Sequence, residues 1–148
     1  SLAGLKRLEL QDHVTEKLNK EQFLPAACQG TKGVQSKIGN DIKEVFEVIN
    51  HNETEIESLT ERQVLKNINA NCNSPVSVYA KIYENTLLLK CDIFDHDGNK
   101  LFSKKMSENK ENNLKIADLL SELILNDLGQ DKINKLDELN DFDYSPSS

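Results

Sequence analysis

Residues 76–107 read VSVYAKIYENTLLLKCDIFDHDGNKLFSKKMS, and their alternation decides the fold. Val76, Val78, Ala80 and Ile82 stand two apart, with more polar or amphipathic residues between them. Leu87, Leu89, Cys91 and Ile93 repeat that period over 86–94. A period of two puts every second side chain on one sheet face, so each run predicts a half-buried strand. A third run, 100–107, carries Leu101 and Phe102. Asp97-Gly98 between the last two runs is a hairpin signal, and Glu84-Asn85 supplies a shorter turn between the first two. The runs are close enough in sequence to pair as an antiparallel meander.

A different period flanks the sheet on both sides. Upstream, Thr54-Glu55-Ile56-Glu57 reads as a capping box opening a helix to about Asn69, with Ile56, Leu59, Val64, Leu65 and Ile68 as its apolar positions. The stretch NANCNSP then ends that helix, since Pro75 cannot continue it and Asn and Ser favour turns. Downstream, Ile116, Leu120, Leu123 and Ile124 give a helix over 113–128, with Gly129 as its stop and a short helix expected at 131–139. The final NDFDYSPSS is acidic and polar, with the composition of a disordered tail. Helix, loop, three strands, helix makes a small α+β domain, one sheet face covered by helices.

The first 50 residues are less regular. Leu2, Leu5 and Leu8 predict a helix over 1–10, while 13–22 carry no clear pattern. FLPAACQGTKGVQSKI at 23–38 reads as strand, turn, strand. Asp41 is expected to cap a helix over 42–50, with Glu44 as partner and Val45, Val48 and Ile49 as its apolar face. Alone this region would have an unpaired strand edge and too little core. The chain begins at Ser1 on what reads as mid-helix, and is expected to be a fragment whose start lies upstream.

The bulk numbers narrow the function classes. A net charge of -7 disfavours nucleic acid and anionic membrane as bulk partners. No apolar run is long enough to span a bilayer, and no signal peptide is visible. Three widely spaced cysteines, Cys28, Cys72 and Cys91, make neither a disulfide framework nor a zinc knuckle, so reduced thiols in the cytoplasm are expected. His13, His51 and His96 have no metal-ligand spacing, and Asp92, Asp95 and Asp97 do not complete a calcium loop because its twelfth position is Lys104. No metal site is expected. Cys91 alternates with Leu89 and Ile93 and reads as core, and Lys104-Lys105 as solvated strand surface.

Three segments in order resemble the porphobilinogen deaminase (hydroxymethylbilane synthase) family. AGLKRL at 3–8 is similar to a helix start with which that family holds substrate carboxylates. FLPAACQGTKGVQ at 23–35 resembles its LPAxGQGxxGIE stretch. NHNETEIESLTERQVLKNINANCNSPVSVYA at 50–80 resembles its NHxxT…AER…L…GGCxxPI…YA signature. The resemblance implies an α+β C-terminal domain at 51–140. A partial α/β piece of two periplasmic-binding-protein-like lobes would precede it at 1–50, and a disordered acidic tail would follow at 141–148. It implies a cytoplasmic, monomeric transferase of tetrapyrrole (haem) biosynthesis. Such an enzyme polymerises four porphobilinogen units, with loss of ammonia, onto a cysteine-linked dipyrromethane to give hydroxymethylbilane. Cys72 matches the cysteine that holds this cofactor through a thioether. Gly4, Arg7, Gln29 and Gly30 match positions that face cofactor or substrate carboxylates. The chemistry is consistent: a thiolate is a soft nucleophile for a pyrrole methylene carbon, and a planar guanidinium suits carboxylates. The family's catalytic aspartate lies in the N-terminal half. No catalytic residue is therefore expected in this chain, which would need that missing half as its partner. Two positions depart from the pattern: Ala70-Asn71 replaces Gly-Gly before the cysteine, and Cys28 stands where Gly is usual. An inactive remnant and a stand-alone α+β interaction module are the competing readings.

Overall fold

A computed structural model describes residues 2–20, 23–37, 39, 43–71 and 73–138. In chain order the elements are α1 (Leu2–Arg7), α2 (Lys43–Ile49), α3 (Asn52–Asn67), β1 (Val76–Tyr83), β2 (Thr86–Phe94), β3 (Lys100–Asn109), α4 (Asn113–Leu128) and α5 (Gln130–Glu138). Short 3-10 turns stand at Gln11–His13 and Lys110–Asn112.

The three strands form one antiparallel sheet in the order β1-β2-β3. Val76 lies opposite Ile93, Val78 opposite Cys91, Ala80 opposite Leu89 and Ile82 opposite Leu87. The two alternating sets therefore share a face, and all eight residues are buried. Phe102, opposite Ile93, extends that face onto β3. Val64 of α3 and Ile68 at its C-cap, Ile116, Ala117, Leu120 and Ile124 of α4, and Ile133 and Leu136 of α5 close the core over it. Full burial of one such leucine or isoleucine is worth about 1.5–3 kcal/mol. The α+β class expected from the alternation is the class observed.

The hairpin loops follow from local chemistry. Between β2 and β3, Asp95 N–H donates to Asn99 C=O at 2.9 Å, leaving residues 96–98 as a three-residue loop. Gly98 has φ +83°, the left-handed position that such a loop requires. Asp95 Oδ1 accepts the amides of Asp97 and Asn99 at 3.0 and 2.7 Å. The sheet face away from the helices is polar: Asp92 accepts from Ser103 Oγ at 2.6 Å and pairs with Lys100 Nζ at 2.9 Å.

Three sequence expectations are corrected. The helix read from a Thr54 capping box is capped three residues earlier. His51 is its N-cap, with Nδ1 accepting the Thr54 amide at 3.2 Å, and Glu57 is engaged elsewhere. The strand, turn, strand expected over 23–38 is a turn at 27–30 flanked by irregular chain, with no strand among its described residues. An extended segment becomes a strand only when a neighbouring backbone takes its amides and carbonyls. The helices α1 and α2 form, but α1 is shorter than expected and their apolar faces are not sealed: Leu8, Val45, Val48 and Ile49 are all more than half exposed. Leu59 of α3 is also exposed, facing α2 across a cleft rather than the core. The Asp41 cap and the final tail lie outside the described residues.

Candidate functional site

The helix α3 presents two carboxylates four residues apart, Glu57 and Glu61. Four helical residues rise about 6 Å, and two strand residues span about 6.6 Å. The spacing matches the outward amides of β1. Glu57 Oε1 accepts from Ile82 N–H at 2.9 Å, and Glu61 Oε1 from Ala80 N–H at 2.7 Å. Since Glu57 meets the later strand residue, α3 and β1 run in opposite directions. The free edge of β1 is thus capped by side chains, which keeps it from pairing with another chain. Glu57 also pairs with Lys81 Nζ at 3.0 Å.

Glu61 has a second partner. Its Oε2 accepts the backbone N–H of Cys28 at 2.5 Å, at the turn that carries Gln29 and Gly30. Cys28 adopts φ +57°, a left-handed conformation that disfavours any residue with a Cβ by about 1–2 kcal/mol. Its thiol contacts the Ser58 carbonyl at 3.6 Å, and Ser58 Oγ lies 3.4 Å from Thr31 Oγ1. Burial raises the Glu61 carboxyl above the usual carboxylate range, outweighing the two amide donors that favour its charged form. Burial, and then the Glu61 charge, raise the Cys28 thiol as well.

Around this turn lies a cleft of about 370 Å³ whose walls include Gln29, Gly30, Lys20, Tyr79, Glu61 and Lys81. Lys20 Nζ sits 4.9 Å from the centre of the Tyr79 ring and 3.4 Å from its hydroxyl. Gly30 has φ +87°, and a Cβ there would meet nothing within 4 Å. Backbone at that point is open to close approach by a ligand. Lys20, the Tyr79 hydroxyl and this accessible backbone share the cleft with the Glu57 and Glu61 carboxylates, the first of which already holds Lys81. A second cleft of about 650 Å³, between α2 and α3, is lined by Cys28, Lys32, Phe46, His51, Leu59 and Arg62 among others.

Comparison with known proteins places both parts of the chain in one family. The model described as "Porphobilinogen deaminase, dipyromethane cofactor binding domain" matches residues 1–44. The model described as "Porphobilinogen deaminase, C-terminal domain" matches residues 55–126. The chain belongs to the porphobilinogen deaminase family. Curated relatives carry the same name. The protein of Chloroherpeton thalassium is 31% identical over 108 residues, 72% of this chain and 34% of the relative. That of Clostridium botulinum is 30% identical over 127 residues, 86% of this chain and 43% of the relative. That of Clostridium perfringens is 29% identical over 126 residues, 85% and 43%. The chain therefore spans well under half the length of these porphobilinogen deaminases.

The positions expected from the family resemblance fall in different places. Gln29 and Gly30 are exposed and share the smaller cleft with Lys20 and Lys81. Gly4 and Arg7 are exposed on α1 and line neither of the two clefts described. Cys72 lies outside the described residues. Its neighbours Asn71 and Asn73 are exposed, in a turn where Asn71 N–H donates to Ser74 Oγ and Asn73 N–H to Asn71 Oδ1, both at 2.7 Å. Cys91 has no exposed surface, and burial pushes its thiol up to about 12. The residues that sequence reading missed are Glu57, Glu61 and Lys20. The i, i+4 carboxylate pair was visible, but nothing local marked its partners, which lie 19 to 33 residues away.

Proposed function

We propose that this chain is the cofactor-anchoring part of a cytoplasmic transferase of tetrapyrrole biosynthesis. That enzyme would polymerise four porphobilinogen units, releasing ammonia, to give hydroxymethylbilane. Residues 51–140 would be the C-terminal domain and residues 1–50 pieces of the two cleft-forming lobes. The rest of those lobes, with the catalytic aspartate, would come from the N-terminal half of the enzyme, as one monomeric assembly. The observation that carries this reading is the ordered match of two domain models of one family, the second of which spans Cys72 and its exposed neighbours Asn71 and Asn73.

In this reading the Cys72 thiol gives up its proton and its sulfur takes a pyrrole methylene carbon, whose hydroxyl leaves as water. The resulting thioether is uncharged and stable, so the anchor persists through turnover. Bound there, a dipyrromethane supplies the nucleophilic pyrrole carbon on which chains grow. The other residues bind and orient. Arg7 and the Gly4 amide would meet carboxylates, and the Gln29-Gly30 turn would approach the cofactor with backbone and amide groups. Burial keeps the Cys91 thiol protonated and out of reach, so it does not compete as nucleophile, and burial together with Glu61 makes the Cys28 thiol less reactive.

Peptide mass spectrometry tests this on the full chain combined with a companion chain supplying the remaining lobes, given hydroxymethylbilane and then porphobilinogen, so that two added units and hydrolytic release of one tetrapyrrole leave two rings on the sulfur. A dipyrromethane mass is expected on Cys72 and on neither Cys28 nor Cys91, and Cys72→Ser should abolish it. An active assembly with unmodified Cys72 would overturn the proposal.

A further inference from the structure

We propose that Glu61 is a positioning residue: its carboxylate latches the Gln29-Gly30 turn to the edge of β1 and so fixes where that turn stands against the C-terminal domain. The latch joins the two parts of the chain that match different domain models, since Cys28 falls in one and Glu61 with Ala80 in the other.

The argument is one of stereochemistry. Glu61 is 6% exposed, and each of its oxygens takes a backbone amide, Cys28 on one side and Ala80 on the other. A carboxylate is the one side-chain group with two acceptor oxygens and no donor. Glutamine would set an NH₂ against one of those amides. Glu57, one helical turn earlier, performs only the strand half of this task, on Ile82. The second oxygen of Glu61 is therefore not needed to cap the edge. It holds the turn, and it does so at Cys28, where the chain accepts a left-handed conformation immediately before Gln29. Ala27, packed against the core, and the Cys28 thiol on the Ser58 carbonyl support the same placement. The functional consequence, a fixed Gln29-Gly30 turn facing the cofactor, rests on the reading under Proposed function; the latch itself does not.

Residue-resolved amide exchange on the full chain tests it. In the unaltered protein the Cys28 amide should exchange at least about tenfold more slowly than in an unstructured chain. Glu61→Gln should remove that protection while the Leu89 and Ile93 amides keep theirs, and native alkylation at Cys28 should speed up roughly twofold or more as the neighbouring charge disappears. Glu57→Gln should leave Cys28 protected and release only Ile82. A Cys28 amide exchanging at the free-chain rate in the unaltered protein overturns the proposal, whatever the variants do. A folded Glu61→Gln with unchanged Cys28 exchange overturns it too. Failure of Cys72 loading with an intact exchange pattern would instead sink the cofactor reading alone.

Discussion

Replacing Cys91 by serine separates a structural thiol from a chemical one. Cys91 has no exposed surface and sits on the core face of the central strand, opposite Val78 and between Leu89 and Ile93. A serine hydroxyl at position 91 would be buried on a face lined by Val78, Leu89 and Ile93, and a hydroxyl buried among apolar side chains costs about 1–3 kcal/mol. With a central value near 2 kcal/mol and roughly 4 °C per kcal/mol for a domain of this size, the melting temperature should fall by about 8 °C. Circular dichroism melts and urea midpoints measure the loss. Differential alkylation with peptide mass spectrometry should find Cys91 unreacted in the native protein at pH 8, because its thiol is held up to about 12. Cofactor loading at Cys72 should be unaffected. A melting temperature within a degree of the parent, or rapid native alkylation of Cys91, would refute the packing argument.

Two other outcomes follow from the latch region. Cys28→Gly should be more stable than Cys28→Ala by about 1 kcal/mol, read as a difference in urea midpoint, because both lose the thiol and only glycine is relieved at φ +57°. Glu61 should give stability a pH dependence of definite sign. Its carboxyl is raised above 4.5 in the folded state, chiefly by burial, so the folded protein holds that proton more tightly than the unfolded chain does. The associated stabilisation is complete below 4.5 and is lost as pH rises through the raised value. The melting temperature of the parent should accordingly fall relative to Glu61→Gln across that window, and a difference that is flat or grows with pH would contradict the burial of this group.

Two periods in the sequence settled most of the C-terminal domain. The repeat of two over 76–94 and the helical repeats over 54–69 and 113–128 predict strands and helices that match the observed elements to within a few residues. Each needs only its own residues and its neighbours to choose sides. A capping box, written in serine, threonine and glutamate, places the opening of α3 at Thr54, whereas a histidine ring nitrogen does the capping here. Residues 23–38 failed for a different reason. Their apolar run and glycines resemble a strand pair, but a strand is a contract with another backbone, and none is in place among the described residues.

The sequence by itself determined which side chains of β1 and β2 face the core, where the hairpins turn, and which family motifs stand in order. Those are local matters of period, turn stereochemistry and residue type. Only the tertiary structure decided what Glu57 and Glu61 are for. Their partners on β1 and at Cys28 are brought within reach by packing α3 beside the sheet, and a carboxylate has no local preference that announces a distant amide. The same holds for Lys20 beside Tyr79, 59 residues away along the chain. Long-range hydrogen bonds of this kind exist only once the core has set the distance between elements.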